Sequence, residues 1–230
     1  MSPSLKSRSA LITWLAHRWY DCVFWSSFTF FTLGWRIRIA GRQNIPSDGP
    51  LLLLSNHQSF FDPVLIGLSC NRYLTYLARK TLFKSRFFAF LIQSLDAIPI
   101  DHQGLGKEGL QLVGNAIQQG KAVLIFPEGE RTGDGEIHPL KPGISLLIKR
   151  IEATIVPIGI AGAFASWPRF RKFPVPAPIF CIPWAGTLAI HIGKPIPLQE
   201  LRTLSREDQL KYLENKMREC WIEAEKLRRK

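Results

Sequence analysis

Four short apolar runs, each bounded by turn-forming residues, punctuate the chain: Leu51 to Ser55, Ala97 to Ile100, Ala122 to Phe126 and Ile155 to Ile160. Each is a short run bounded by breakers and reads as a strand, the first of them entering the core. Most of the intervening stretches are long enough for helices. Partial apolar stripes place these over residues 63–69, 81–93, 106–119 and 142–150. Alternation of this kind predicts an α/β fold with a largely parallel central sheet flanked by helices. The strongest helical pattern is C-terminal, from Ser205 to Arg229. There Leu210, Leu213, Met217, Cys220, Trp221, Ala224 and Leu227 recur at three- and four-residue steps among charges. Upstream, Trp35 to Ile39 alternates apolar and basic residues, and Asn44 to Pro50 is a turn leading into the first strand.

The N-terminus follows a different pattern. Trp14, Trp19, Tyr20, Phe24, Trp25, Phe28, Phe30 and Phe31 crowd into it, interleaved with Lys6, Arg8 and Arg18. Aromatic rings and cations together suit the headgroup region of a bilayer, and an ordinary buried helix is the competing reading. Arg18 and Asp21 leave only Cys22 to Trp35 free of charge, short of the roughly 20 apolar residues that a spanning helix needs. His17, Arg18 and Asp21 also interrupt any signal-peptide core. The expected organisation is therefore a membrane-docking helical segment, residues 1–34, and one body, residues 35–230, on the cytoplasmic face of a membrane.

Thirty Lys and Arg against eighteen Asp and Glu give a net charge of +12. Phosphates, anionic lipid and nucleic acid are all compatible with that excess, but no nucleic-acid-binding module is recognisable, so a nucleic-acid partner is not expected. Cys22, Cys70, Cys181 and Cys220 are scattered, and with His17, His102, His138 and His191 they form no ligand spacing. No metal is expected.

Chemistry concentrates after the first strand, in Asn56-His57-Gln58-Ser59-Phe60-Phe61-Asp62. A histidine leaving a buried strand is a candidate general base, and a carboxylate on its far nitrogen would set the tautomer. His57 and Asp62 are such a pair. Asp62 also precedes Pro63 and an apolar helix, so an N-cap role stays open. No Gly-x-Ser-x-Gly elbow or neighbouring cysteine accompanies them, which points to a substrate hydroxyl as the group activated. Asp101-His102 and Phe126-Pro127-Glu128-Gly129-Glu130-Arg131-Thr132 follow two further strands. In an open α/β sheet all three segments would converge on one crevice.

With these motifs in order, the chain resembles the glycerolipid acyltransferase (PlsC-like) family. Asn56 to Asp62 is similar to its His-x4-Asp motif, Ala97 to His102 to the second block, Phe126 to Thr132 to the third, and Ile155-Val156-Pro157-Ile158 to the fourth. The resemblance covers roughly residues 35–195. It implies transfer of an acyl group from a thioester, carried by coenzyme A or acyl carrier protein as co-substrate with no bound cofactor, to the hydroxyl of 1-acylglycerol 3-phosphate. Other lysolipid acceptors, and a silent lipid-binding protein, are the alternatives. It further implies His57 as base, Asp62 as its orienting group, and acceptor binding by Glu128, Gly129 and Arg131, with Lys80 and His102 as additional contacts. Without the resemblance, Glu128 and Arg131 would read as an exposed ion pair and Lys80 as a solvated lysine. Asn56 is open between an oxyanion contact and a backbone bond in the turn. His102 departs from the family pattern, where an arginine commonly follows the aspartate, and this bears on which lysolipid is the acceptor.

Overall fold

The computed structural model describes residues 3–100, 106–176 and 187–230, with side chains from residue 18 onward except those at 87 and 88. Among the described residues, seven strands form one sheet: β1 (Arg38–Ala40), β2 (Leu51–Ser55), β3 (Leu74–Arg79), β4 (Ala97–Ile100), β5 (Ala122–Ile125), β6 (Thr154–Ala161) and β7 (Ala189–Ile192), in the order β1-β7-β6-β2-β5-β3-β4. Only the β6–β7 pairing is antiparallel, so β6, β2, β5, β3 and β4 run the same way and present their carboxyl ends together. The helices are α1 (Pro3–Trp35), α2 (Asp62–Ser69), α3 (Arg86–Ser94), α4 (Lys107–Gln118), α5 (Gly143–Ile148), α6 (Ala163–Ser166), α7 (Leu198–Thr203) and α8 (Arg206–Arg229).

The run of four leucines in β2 is explained by its position. It pairs with β5 on one side and β6 on the other, and Leu51 to Leu54 are wholly buried. Successive side chains of a strand point to opposite faces. Leu51 and Leu53 accordingly pack with Phe31, Trp35, Phe61, Leu65 and Ile66 from α1, α2 and the loop before it. Leu52 and Leu54 pack with Val113, Ile117, Leu147, Leu213 and Met217 from α4, α5 and α8. A parallel sheet covered on both faces needs such uninterrupted apolar strands.

Two expected strands match their observed bounds, whereas the expected helix over 81–93 begins as a 3-10 turn, Lys80–Lys84, before α3. The strand β3 was not legible, because Thr75, Tyr76 and Arg79 dilute its apolar character. Helix α1 is continuous to Trp35, where Arg36 at φ 49° turns the chain out of helical geometry. Its last turn belongs to the core through Phe31 and Trp35, while Trp25, Phe30 and Leu33 are exposed. No described helix is long and apolar enough to cross a membrane.

Helix α8 opens on a Ser205 cap, whose hydroxyl accepts the Asp208 amide, and lies across β6 and β7. Its close approach depends on Gly159: a Cβ there would stand 2.1 Å from the amide nitrogen of Trp221 and 2.2 Å from the carbonyl carbon of Cys220. Both obstacles are backbone, so the whole helix would have to shift. Gly159→Ala is expected to destabilise the protein by about 3 kcal/mol, lowering Tm by roughly 6–12 °C for a chain of this size. An unchanged thermal melt would show that α8 tolerates a wider spacing.

Candidate active site

At the carboxyl end of β2 the chain leaves the sheet through Asn56, whose side chain is tied to strand β6. Its Nδ2 donates to the Ile160 carbonyl at 3.0 Å, and its Oδ1 accepts the Ile160 amide at 2.8 Å. The amide group thus extends the β2–β6 pairing by one step. The side-chain bonds of Asn56 go to Ile160 of β6 and not to its own turn.

His57 follows, held from several directions. Its amide donates to Glu128 Oε1 at 2.9 Å, its carbonyl accepts the Thr132 amide at 2.8 Å, and its ring stacks on Phe126 with centroids 3.9 Å apart. Ring atom Nδ1 lies 2.8 Å from Asp62 Oδ2. With Nδ1 engaged by a carboxylate, the neutral tautomer carries its proton there and offers Nε2 as the base. The ring is 18 % exposed and the carboxylate 0 %. The pair therefore has a buried side and one side that faces solvent.

Asp62 is the first residue of α2, preceded by Phe61 at the cap position, and its side chain makes no cap bond. Instead Oδ2 accepts the amides of Gln58 at 2.5 Å and Ser59 at 2.7 Å, closing the turn between His57 and the helix. The N-cap reading is corrected accordingly. The carboxylate reaches back into the loop, toward the imidazole it positions.

Glu128 is also buried, and it does not pair with Arg131. Its two oxygens accept the amides of His57 and His138, each at 2.9 Å, and so strap the His57 turn to the loop that follows β5. The exposed ion-pair reading fails because the side chain points into the protein. Burial pushes its carboxyl up from an ordinary 4.5 to about 7, against the opposing effect of the two amide bonds. Gly129, at φ 82°, makes the tight turn with its amide on the Phe126 carbonyl, a conformation that suits glycine.

Arg131 leaves the same turn on the solvent side, its guanidinium 3.5 Å above the Phe60 ring. Together with Arg79, Glu130, Arg169 and Phe170 it lines a cavity of about 340 Å³. Burial, and repulsion from Arg79 and Arg169, hold Arg131 below the usual guanidinium range. Three cations around one cavity form an anion site. Of these, only Arg131 was singled out in the sequence. Lys80 is exposed at the start of the 3-10 turn, and its neighbour Arg79 is the residue that reaches the cavity. Arg169, in the loop after α6, sits in no motif, and no pattern could have found it. His102 lies outside the described residues. No group of metal-ligating side chains occurs among those described.

The model of the family described as acyltransferase matches residues 36–161, which include His57, Asp62 and the whole turn from Phe126 to Thr132. The chain belongs to the acyltransferase family. Among its relatives is the 1-acyl-sn-glycerol-3-phosphate acyltransferase of Bacillus subtilis, 24% identical over 193 residues, 79% of this chain and 89% of that one. The Pseudomonas aeruginosa protein of the same name is 28% identical over 202 residues, covering 84% of this chain and 70% of its own. The Arabidopsis thaliana chloroplastic enzyme named LPAT1 is 26% identical over 83% of this chain, and the match spans 52% of that longer protein. A crystal structure of the 1-acyl-sn-glycerophosphate (LPA) acyltransferase PlsC from Thermotoga maritima shares the fold, with a TM-score of 0.70, 21% identity, and coverage of 97% of this chain and 84% of that one. Within this acyltransferase, Arg169 lies beyond the residues the family model matches.

Glu128 provides a pH test of the strap. A raised native pKa means that the folded state holds its proton where the unfolded state has lost it. The stabilisation is thus fully present below about pH 4.5 and is lost as pH rises through about 7. Relative to Glu128→Gln, which does not titrate, the wild type should lose at most about 3 kcal/mol of stability between pH 4.5 and 8. Urea melts of both proteins across that range measure it, and a pH-independent difference would contradict the assignment.

Proposed function

We propose that this acyltransferase moves a fatty acyl group from an acyl thioester to the free hydroxyl of 1-acylglycerol 3-phosphate, giving phosphatidic acid. The observation that carries the reading is the His57–Asp62 pair on the same sheet edge as a cavity with three arginines. Nε2 of His57 takes the proton of the acceptor hydroxyl as its oxygen attacks the thioester carbonyl. The tetrahedral intermediate then collapses, the carbon–sulfur bond breaks, and the imidazolium returns its proton to the departing thiolate. Products are the new ester and a free thiol. Asp62 keeps Nδ1–H in place and stabilises the imidazolium formed in between.

The acceptor assignment rests on charge. Arg79, Arg131 and Arg169 less Glu130 leave the cavity with two net positive charges, and a phosphate monoester carries close to two negative charges at neutral pH. A phosphodiester headgroup carries one. Two relatives named 1-acyl-sn-glycerol-3-phosphate acyltransferase support the same acceptor. The donor is a thioester of coenzyme A or acyl carrier protein, which supplies the good leaving group.

The exposed Trp25, Phe30 and Leu33 of α1 support docking on an anionic membrane, with residues 1–34 as the docking segment, the body from 35 to 230 as the catalytic domain, and the cytoplasmic face as its side. Both substrate chains are then taken from the surface on which the enzyme rests.

Two measurements test these statements. Purified protein should release thiol from palmitoyl-CoA only when 1-acylglycerol 3-phosphate is present, and His57→Ala should lower that rate by about 10²- to 10⁴-fold. Release without acceptor would mean hydrolysis, and faster turnover of a lysophosphodiester would overturn the acceptor assignment. Replacing Trp25 and Phe30 together by serine should weaken co-sedimentation with anionic vesicles by roughly a hundredfold or more, since each buried ring contributes about 1.5–3 kcal/mol. Unchanged binding would remove α1 from the docking surface.

A further inference from the structure

The arginine cavity contains its own carboxylate. Arg169 Nη1 lies 3.3 Å from Glu130 Oε2 and donates to the Arg131 carbonyl at 3.1 Å, so the structure shows one guanidinium engaged by the turn that carries Arg131. We propose that Glu130 and the phosphate of the lipid compete for Arg169, with Glu130 acting as a built-in counter-ion that limits how tightly the cavity holds either acceptor or product. The inference rests on the acceptor reading above and concerns Glu130, which that reading counted only as one charge in the cavity.

Three observations carry it. The pair is weak by construction: the Glu130 and Arg169 side chains are 54% and 47% exposed, and exposed pairs of this kind contribute a factor of roughly 1.5 to 5. A phosphate that accepts two parallel bonds from a guanidinium will displace such a carboxylate. Second, Glu130 cannot withdraw far. The turn on either side of it is pinned by the Gly129 amide on the Phe126 carbonyl and by the Thr132 amide on the His57 carbonyl, so only its side chain swings. Displaced, it stays at the rim, ready to return. Third, the arginines are mutually repulsive: Arg79 and Arg169 both disfavour the charge on Arg131. A carboxylate among them relieves that repulsion when no lipid does.

The chemistry gives the device a purpose. Acylation takes place at the hydroxyl and leaves the phosphate unchanged, so acceptor and product present the same group to the same arginines. A cavity built of cations alone would retain product as firmly as it captured acceptor. An internal competitor lowers both affinities together and favours release.

The test uses the full chain in detergent micelles, with palmitoyl-CoA as donor and 1-oleoylglycerol 3-phosphate as acceptor. Glu130→Gln should lower the acceptor KM by roughly 2- to 5-fold, strengthen inhibition by phosphatidic acid by a similar factor and leave the palmitoyl-CoA KM unchanged. In an Arg169→Gln background the same change should have no effect on acceptor KM, because the guanidinium under competition is gone. An unchanged or higher KM in Glu130→Gln overturns the proposal. So does a decrease that persists without Arg169, which would mean general charge repulsion instead of competition. Binding of 1-oleoylglycerol 3-phosphate micelles to His57→Ala and to His57→Ala/Glu130→Gln, by calorimetry, separates this from the acceptor reading. Tighter binding by the double variant supports the competition even if turnover prefers another lysolipid, equal binding contradicts it, and no binding by either overturns both readings.

Discussion

Strand β2 is hydrogen-bonded on both sides by parallel neighbours, and its four leucines are inaccessible to solvent, so its carboxyl end cannot move independently of the sheet. Asn56 extends that constraint by one residue, through two bonds to Ile160. The backbone of His57 is then clamped by Glu128 and Thr132, and its ring by Asp62 and Phe126. Each restraint limits a different freedom: strand position, peptide orientation, ring rotation and ring plane. A general base needs all four set before substrate arrives, since proximity contributes only when the geometry is already prepared.

The two halves of the site lie in different media, and this divides their labour. Asp62 and Glu128 are buried and make short bonds to backbone amides, which suits groups that must hold position. Arg79, Arg131, Arg169 and Glu130 line an open cavity where ion pairs are weak and exchangeable. In the proposed reaction, rigid placement at the acceptor hydroxyl and reversible capture of its headgroup would then fall on opposite sides of one turn. Glu128 faces in and Glu130 faces out, with Gly129 at positive φ between them. The alternation in that turn is what joins the His57–Asp62 pair to the arginine cavity.

Aromatic packing links the site to α1. Phe61, next to Asp62, meets Phe31 and Trp35 with ring centroids 4.9 and 5.0 Å apart, and it also meets Trp167 at 5.0 Å. Trp167 in turn contacts Phe60, the ring beneath Arg131. The end of the N-terminal helix therefore buttresses both the loop that carries Asp62 and the platform beneath Arg131 in the arginine cavity. The exposed rings farther up the same helix give one element two faces with different environments.

Much of this was legible in the residue order. Leu51–Ser55 was visible as a strand because a strand buried on both faces must be uniformly apolar, Ala97–Ile100 because a short apolar run lies between breakers even at the partly exposed edge of the sheet, and α8 because an amphipathic helix repeats its stripe at a fixed step. His57 and Asp62 were visible as a pair because they are close in sequence and the turn between them is short. Glu128 and Arg131 were located, but the alternative of an exposed ion pair stayed open, since spacing cannot tell that a left-handed glycine sends one inward and the other outward. Arg79 and Arg169 were not legible as members of the cavity at all: β3 and the loop after α6 meet there only because the parallel sheet brings their ends to one edge. The sequence by itself determined the fold class, the His57–Asp62 pair and the family, all of which depend on local pattern. The composition of the anion cavity, the inward strap of Glu128 and the pairing of Glu130 with Arg169 were decided by tertiary structure, because each joins residues whose proximity exists only after the strands have aligned.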